Sequence, residues 1–377
     1  MPWLALRGPN LIPPAQRAMP QASALRPHLL APDNFTPAAR TPWGGRRIVA
    51  RYKSALGLAR ELSEQAVGEA WELSFGPELP SRTQDGALLA DVVAEDRERY
   101  LGDEAGRGAS ALLVKWLDAA DDLSVQIHPD VADPDLAADE TGKPECWYIV
   151  ANEPGAGIYL GLAHGVDAAQ MRDAIARGAD VSQLLRFQPV SPGDFYLLPP
   201  GLPHAVGRGV TLVEPQYVFP GKKGVTLRYW DWNRRYDSAG RSDPNGRGRE
   251  LHVERALQVT DWQRAGDPAW LATQRCALGA PELEGPARCD VLCGPDAAPV
   301  SSTFLRAARL AGTGSVGLPS WRTLRALTVI EGAVQLRGSF GELRVARGMT
   351  AAIPAGLLDV SCELDRAHAI ASSVVVA

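Results

Sequence analysis

Gln126 and His128 stand two residues apart in LLVKWLDAADDLSVQIHPD (112–130), and a β-strand would turn both side chains to one face. Glu145 follows Lys143-Pro144 at the head of an apolar run, and His204 ends the turn GDFYLLPPGLPH (193–204). Two imidazoles, one carboxylate and one amide oxygen suit zinc or another borderline divalent ion, with a coordination position left for substrate or water. Any one of these residues alone would be structural or solvated. Together they complete the spacing Q-x-H…E…G-x5-P-x-G-x-x-H.

The elements that must carry them are short. Apolar runs such as 111–116, 146–150, 194–198 and 327–330 alternate with Gly/Pro turns, which predicts the strands of a β-sandwich or barrel. VDAAQMRDAIARG (166–178) has helical spacing and a terminal Gly, so a helical excursion near 166–187 interrupts the β core. A weak repeat sets the overall plan. GMTAAIPAGLLD (348–359) matches 193–204 in its G-x5-P-x-G-x-x frame, and CWYIV (146–150) corresponds to ALTVI (326–330). Duplication is the expectation: a mainly β protein of two related jelly-roll β-barrels. The second has only Asp359 at the His204 position and no H-x-H, and it is expected to bind no metal.

A chain of 377 residues accommodates two domains. We expect a 1–28 extension, a catalytic domain over 29–249 and a degenerate second domain over 250–377. The extension has six prolines, three arginines and no acidic residue. Its proline content predicts disorder; a targeting peptide is the alternative its charge bias allows. A net charge of -5 gives no reason to expect nucleic acid or an anionic membrane surface as partner. An anionic substrate would need a local cluster of cations. No apolar run reaches the roughly 18 residues of a membrane span. Five sparse cysteines argue against a disulfide framework and for a reducing, cytoplasmic setting.

The segments TPWGG (41–45), GEAWELS (68–74), SVQIHPD (124–130), GKPECWYIV (142–150), LLPPGLPHAVGRGVTLVEPQ (197–216) and TLRYWDWNRR (226–235) are similar, in this order, to class I mannose-6-phosphate isomerases. The resemblance is strong over 29–236. Over 250–377 it extends only to a degenerate cupin. It makes the ligand spacing a cupin metal motif with Gln in place of the first His. It implies one Zn2+ per chain on Gln126, His128, Glu145 and His204, and a catalytic arginine at Arg228. It also implies a sugar-phosphate pocket lined by Lys115, Ser124 and Lys143, with Glu214 nearby. The activity implied is interconversion of mannose 6-phosphate and fructose 6-phosphate through an enediol(ate). Such a reaction needs fixed positive charge beside an oxyanion and a base that moves a proton between C2 and C1. Glu214 and Lys143 are both candidates for that base. The chain is expected as a monomer or homodimer.

Three departures from the family bear on the site. Cys146 follows the ligand Glu145, and strand alternation predicts that it packs behind the site. The 214–228 stretch is longer and contains PGKKG, with Lys222 and Lys223 as extra cations. Gly224-Val225 replaces an Asp-Thr pair before the arginine. The six tryptophans at 43, 71, 116, 147, 230 and 232 read mainly as core, with some available to wall the sugar site. An iron-dependent cupin oxygenase and a non-catalytic sugar-phosphate-binding cupin are the competing functions. For Arg228 the competing role is a structural ion pair with Asp231 or Glu214.

Overall fold

A computed structural model describes residues 25–295 and 300–376. Most of the predicted extension lies outside the described residues. Of its last four residues, Leu25 and Pro27 are buried and His28 opens the first strand.

In chain order the strands are β1 His28–Leu29, β2 Glu69–Leu73, β3 Leu112–Asp118, β4 Val125–Ile127, β5 Glu140–Thr141, β6 Glu145–Asn152 and β7 Gly157–Leu162. There follow β8 Leu185–Pro189, β9 Asp194–Leu198, β10 His204–Val206, β11 Val210–Tyr217, β12 Lys223–Gly224 and β13 Leu227–Trp230. The rest are β14 Arg275–Ala277, β15 Arg288–Gly294, β16 Val300–Ser301, β17 Leu305–Gly317, β18 Arg325–Gly338, β19 Gly341–Ala346, β20 Thr350–Ile353 and β21 Ser361–Val374. The helical excursion falls where its periodicity predicts, at Ala168–Ala176, with Asp167 and Gln170 closing a reciprocal cap at its start.

Three sheets stack in layers. The middle one, β14-β9-β6-β11-β3-β2, is covered on both faces. Its Val114, Trp116, Cys146, Tyr148 and Val213 pack toward the C-terminal sheet, which runs β1-β20-β18-β21-β17-β15-β16 with β19 on β18. Its Leu117, Trp147, Ile149, Leu198 and Leu212 face the five-stranded sheet β13-β4-β10-β7-β8. Burial on both faces explains why LLVKWLD reads as an unbroken run rather than an alternation. Two strands cross the expected division at 249/250. β1 joins the C-terminal sheet, and β14 joins the middle one.

The repeat has a topological counterpart. The order β9-β6-β11-β3-β2 in the middle sheet reappears as β20-β18-β21-β17-β15 in the C-terminal sheet, antiparallel throughout. Register then matches Glu145, opposite Leu198, with Arg325, opposite Ile353. Arg325 is fully buried and donates to the carbonyls of Pro319, Pro354 and Leu357. Leu357 is the counterpart of Leu202, whose carbonyl binds the His204 ring. A guanidinium thus stands where the first half places the Glu145 carboxylate. Burial pushes its pKa down to about 10, and it remains charged at neutral pH.

A buried ion pair ties the halves together. Lys53 Nζ lies 2.7 Å from Glu72 Oε1 and donates to Gly348 O, while Thr350 Oγ1 donates to Glu72 Oε2. Both charged side chains are at most 3% exposed. Lys53→Met should lower unfolding free energy by about 3–5 kcal/mol, because it leaves a buried carboxylate without its cation. Adding Glu72→Leu should recover much of that loss. Chemical denaturation of the single and double variants measures both.

Candidate active site

Strand pairing brings the predicted ligands together. Gln126 on β4 lies directly opposite His204 on β10 and Arg228 on β13, so the three share a face. His128 follows two residues on. Glu145 reaches them from the middle sheet across the sandwich. The Gly142 of GKPE lets that strand start close to the backbone of 129–131, since a Cβ there would strike the Pro129 carbonyl.

The ligand atoms of His128, Glu145 and His204 all lie within 4.8 Å of one another, and all three residues are buried. His128 Nδ1 donates to Val225 O at 2.9 Å and His204 Nδ1 to Leu202 O at 2.8 Å. A carbonyl can only accept, so each neutral ring presents an Nε2 lone pair. Those Nε2 atoms stand 3.1 and 3.7 Å from the two Glu145 oxygens, and His128 Nε2 has no hydrogen-bond partner among the described residues. Burial, then the neighbouring His128, pushes His204 down to about 3; burial and then Lys143 lower His128 as well. Burial pushes Glu145 upward, but Lys143 and then His128 outweigh it and hold its carboxyl well below the usual range. Lone pairs facing a carboxylate repel unless a cation lies between them. The residues therefore fit a divalent metal, and the carbonyl-fixed tautomers are the usual support for histidine ligands.

Around this cluster lies a narrow cleft, lined among others by Lys115, Ser124, Lys143, Trp147 and Glu214. Lys143 Nζ is 2.6 Å from Glu145 Oε1. Glu214 accepts from Trp147 Nε1 at 2.8 Å, and burial with the nearby Glu145 pushes it up to about 8. Burial lowers Lys115, but Glu69 and then Glu214 outweigh it, so it stays an ammonium above its ordinary value. Ser124 Oγ accepts from Gln126 Nε2 at 3.0 Å and from Arg228 Nε at 3.2 Å.

Arg228 also donates to Glu250 O at 2.8 Å. It pairs with neither carboxylate considered for it. Asp231 is gripped by Arg234 and Arg249, and Glu214 faces Trp147 and Lys115. Burial, then Arg249, lowers the Arg228 pKa, as expected of a cation short of counter-charge. Cys146 does pack on the far side of β6, toward the C-terminal sheet. Lys222 and Lys223 are exposed and do not line the cleft. Gly224 lies against the Lys143 stem, where a Cβ would come within 3.0 Å of Cδ.

Two lining residues escaped sequence reasoning. Gln216 donates to Glu145 Oε1 at 2.5 Å, and Glu69 pairs with Lys115 at 3.5 Å. For Gln216 the available signal was alternation, since it lies two residues from Glu214 on one strand; Glu69 had no such signal.

Fold and site together define a cupin-type β protein with a possible metal-binding triad beside buried lysines. A family profile described as phosphomannose isomerase type I, catalytic domain, matches residues 38–160. The mannose-6-phosphate isomerase of Streptococcus mutans is 33% identical over 238 residues, covering 62% of this chain and 69% of that protein. A probable mannose-6-phosphate isomerase of Bacillus subtilis, GmuF, is 34% identical over 221 residues, covering 58% and 64%. The chain belongs to the type I phosphomannose isomerase family. In fold it is similar to the crystal structure of the B. subtilis mannose 6-phosphate isomerase (TM-score 0.67, 24% identity, 92% of this chain and 99% of that one). The same holds for a putative mannosephosphate isomerase from Archaeoglobus fulgidus (TM-score 0.69, 19% identity, 94% and 100%).

Proposed function

We propose that the chain interconverts mannose 6-phosphate and fructose 6-phosphate with one zinc ion held by Gln126, His128, Glu145 and His204. The observation that carries this is the pair of carbonyl-fixed imidazoles presenting lone pairs to one carboxylate, in a cleft that also contains Lys115 and Lys143. Zinc bound there would act as a Lewis acid toward the sugar oxygens. The chain's own groups do the rest. Lys143, tied to Glu145, supplies fixed positive charge. Glu214, with a pKa near neutrality, is matched to taking the C2 proton and returning it to C1. Ser124 and Lys115 bind the substrate, and Arg228 faces the charge that develops on the enediolate.

Purified protein should turn over mannose 6-phosphate, lose that activity on chelation and regain it with zinc. Oxygen uptake with bound iron would favour the oxygenase reading, and tight binding without turnover the non-catalytic one. The C-terminal half is proposed to bind no metal, because Arg325 takes the carboxylate's place and Asp359 stands alone. Asp359→Ala should therefore leave metal content and kcat near wild type. A loss of either comparable with that of the His204→Ala variant would overturn this. We also place the protein in the cytoplasm, as a monomer or homodimer. All five cysteines are free, and no helix among the described residues is long and apolar enough to cross a membrane.

A further inference from the structure

Lys115 sits between two carboxylates. Its Nζ is 3.5 Å from Glu69 Oε2, 4.0 Å from Glu214 Oε2 and 4.6 Å from the centre of the Trp71 ring. The two acids come from β2 and β11, the strands flanking β3. Register places Trp71 opposite Lys115 on one side and Glu214 opposite it on the other. Their surroundings differ. Glu69 Oε2 also accepts from Trp71 Nε1 at 2.9 Å and from Thr36 Oγ1 at 3.4 Å, so three donors meet on one oxygen. Among the described residues, Glu214 is anchored by a hydrogen bond through Oε1 alone, from Trp147. The two Trp–Glu pairs thus present one lysine with two competing acceptors.

An ammonium on a flexible stem goes to the better-presented acceptor. Here the Trp71 face adds a cation–π attraction on the Glu69 side. Lys115 is only 9% exposed, so it needs a counter-charge. If Glu69 lost its charge, the remaining carboxylate within reach would be Glu214.

We infer that Glu69 is a positioning residue, which holds the Lys115 ammonium against Trp71 and off Glu214, so that the Glu214 carboxyl stays free to face the sugar. This rests on the reading of Glu214 as the proton-carrying group. Glu69 touches no reacting atom; it acts by deciding which carboxylate Lys115 neutralises.

The test uses zinc-loaded Glu69→Gln, Glu69→Asp, Lys115→Met and the Glu69→Gln/Lys115→Met double variant. Each is assayed with mannose 6-phosphate, with metal content and Tm measured alongside. Glu69→Gln is nearly isosteric and should keep metal and Tm, lose roughly 10–100-fold in kcat and change KM by less than about 3-fold. Glu69→Asp should recover part of the loss. The double variant should be no slower than Lys115→Met alone, because the two residues act as one unit. A crystal structure of Glu69→Gln should show Lys115 Nζ within hydrogen-bond distance of Glu214. A rise in KM with kcat unchanged would overturn the inference, as would losses that multiply, loss of metal or Tm, or a Lys115 that stays in place. No turnover by wild type would instead sink the isomerase reading, and the Lys115 position in the variant structure would still decide this one.

Discussion

His204→Ala protein should fold, hold zinc at least about 10-fold more weakly than wild type, and turn over mannose 6-phosphate roughly 10³-fold more slowly. His204 is one of only two imidazoles in the cluster, and its Nδ1–H is tied to Leu202 O, so no neighbouring ring can swing into its place. Its loss also leaves Glu145 with the neutral His128 ring and the Lys143 ammonium as partners, and Lys143 at 2.6 Å then dominates the carboxylate. The fold should survive, because β10 is held by backbone pairing to β4 and β7 and not by the ring. Metal analysis beside circular dichroism checks both halves of the expectation. Equal, stoichiometric zinc in mutant and wild type would show that the metal sits elsewhere.

Arg228→Ala should lower kcat by on the order of 10²–10³ while KM moves only a few-fold. The guanidinium is partly spent on Ser124 Oγ and the Glu250 carbonyl, neither of which carries charge. A half-buried cation without a carboxylate partner is costly unless an anion completes it. In the function proposed above that anion is the enediolate oxygen, which forms only during the reaction, so the gain would fall in the transition state. The contacts to Ser124 and Glu250 need the planar fork, so Arg228→Lys should recover little. Steady-state kinetics on zinc-loaded variants decides the matter. A kcat within a few-fold of wild type would remove Arg228 from catalysis. A steep rise in KM at unchanged kcat would make it a phosphate ligand instead.

How much of this was legible in the chain depends on how local each cause is. Gly/Pro turns and the 166–178 helix are local, and the structure has them where the spacing put them. Of the four residues expected to hold the metal, the structure gathers His128, Glu145 and His204; their types and spacing are local, but their meeting is tertiary, through the pairing of β10 with β4 and the approach of Glu145 across the sandwich. The place of Cys146 followed from alternation alone. Glu69 could not be read the same way. A glutamate before a tryptophan on an edge strand looks solvated until β2 pairs with β3 and sets Lys115 beside it. Nor does Arg228 announce its neighbours: Asp231 is three residues away in sequence, yet Arg234 and Arg249 take it, the latter from 18 residues downstream. The strands β1 and β14, exchanged between sheets, depend on pairings that no local signal encodes.

Arg325 bears on how the protein would meet a shortage of metal. A cation that is part of the chain needs no supply from the cell. A newly made chain can therefore complete its C-terminal sheet, and with it the outer face of the layer from which Glu145 projects, before any metal arrives. Metal binding at the proposed site would then be a step taken on a finished scaffold. Under metal starvation the enzyme should accumulate as an intact, inactive reserve that regains activity within the time of ion binding, without new synthesis or refolding.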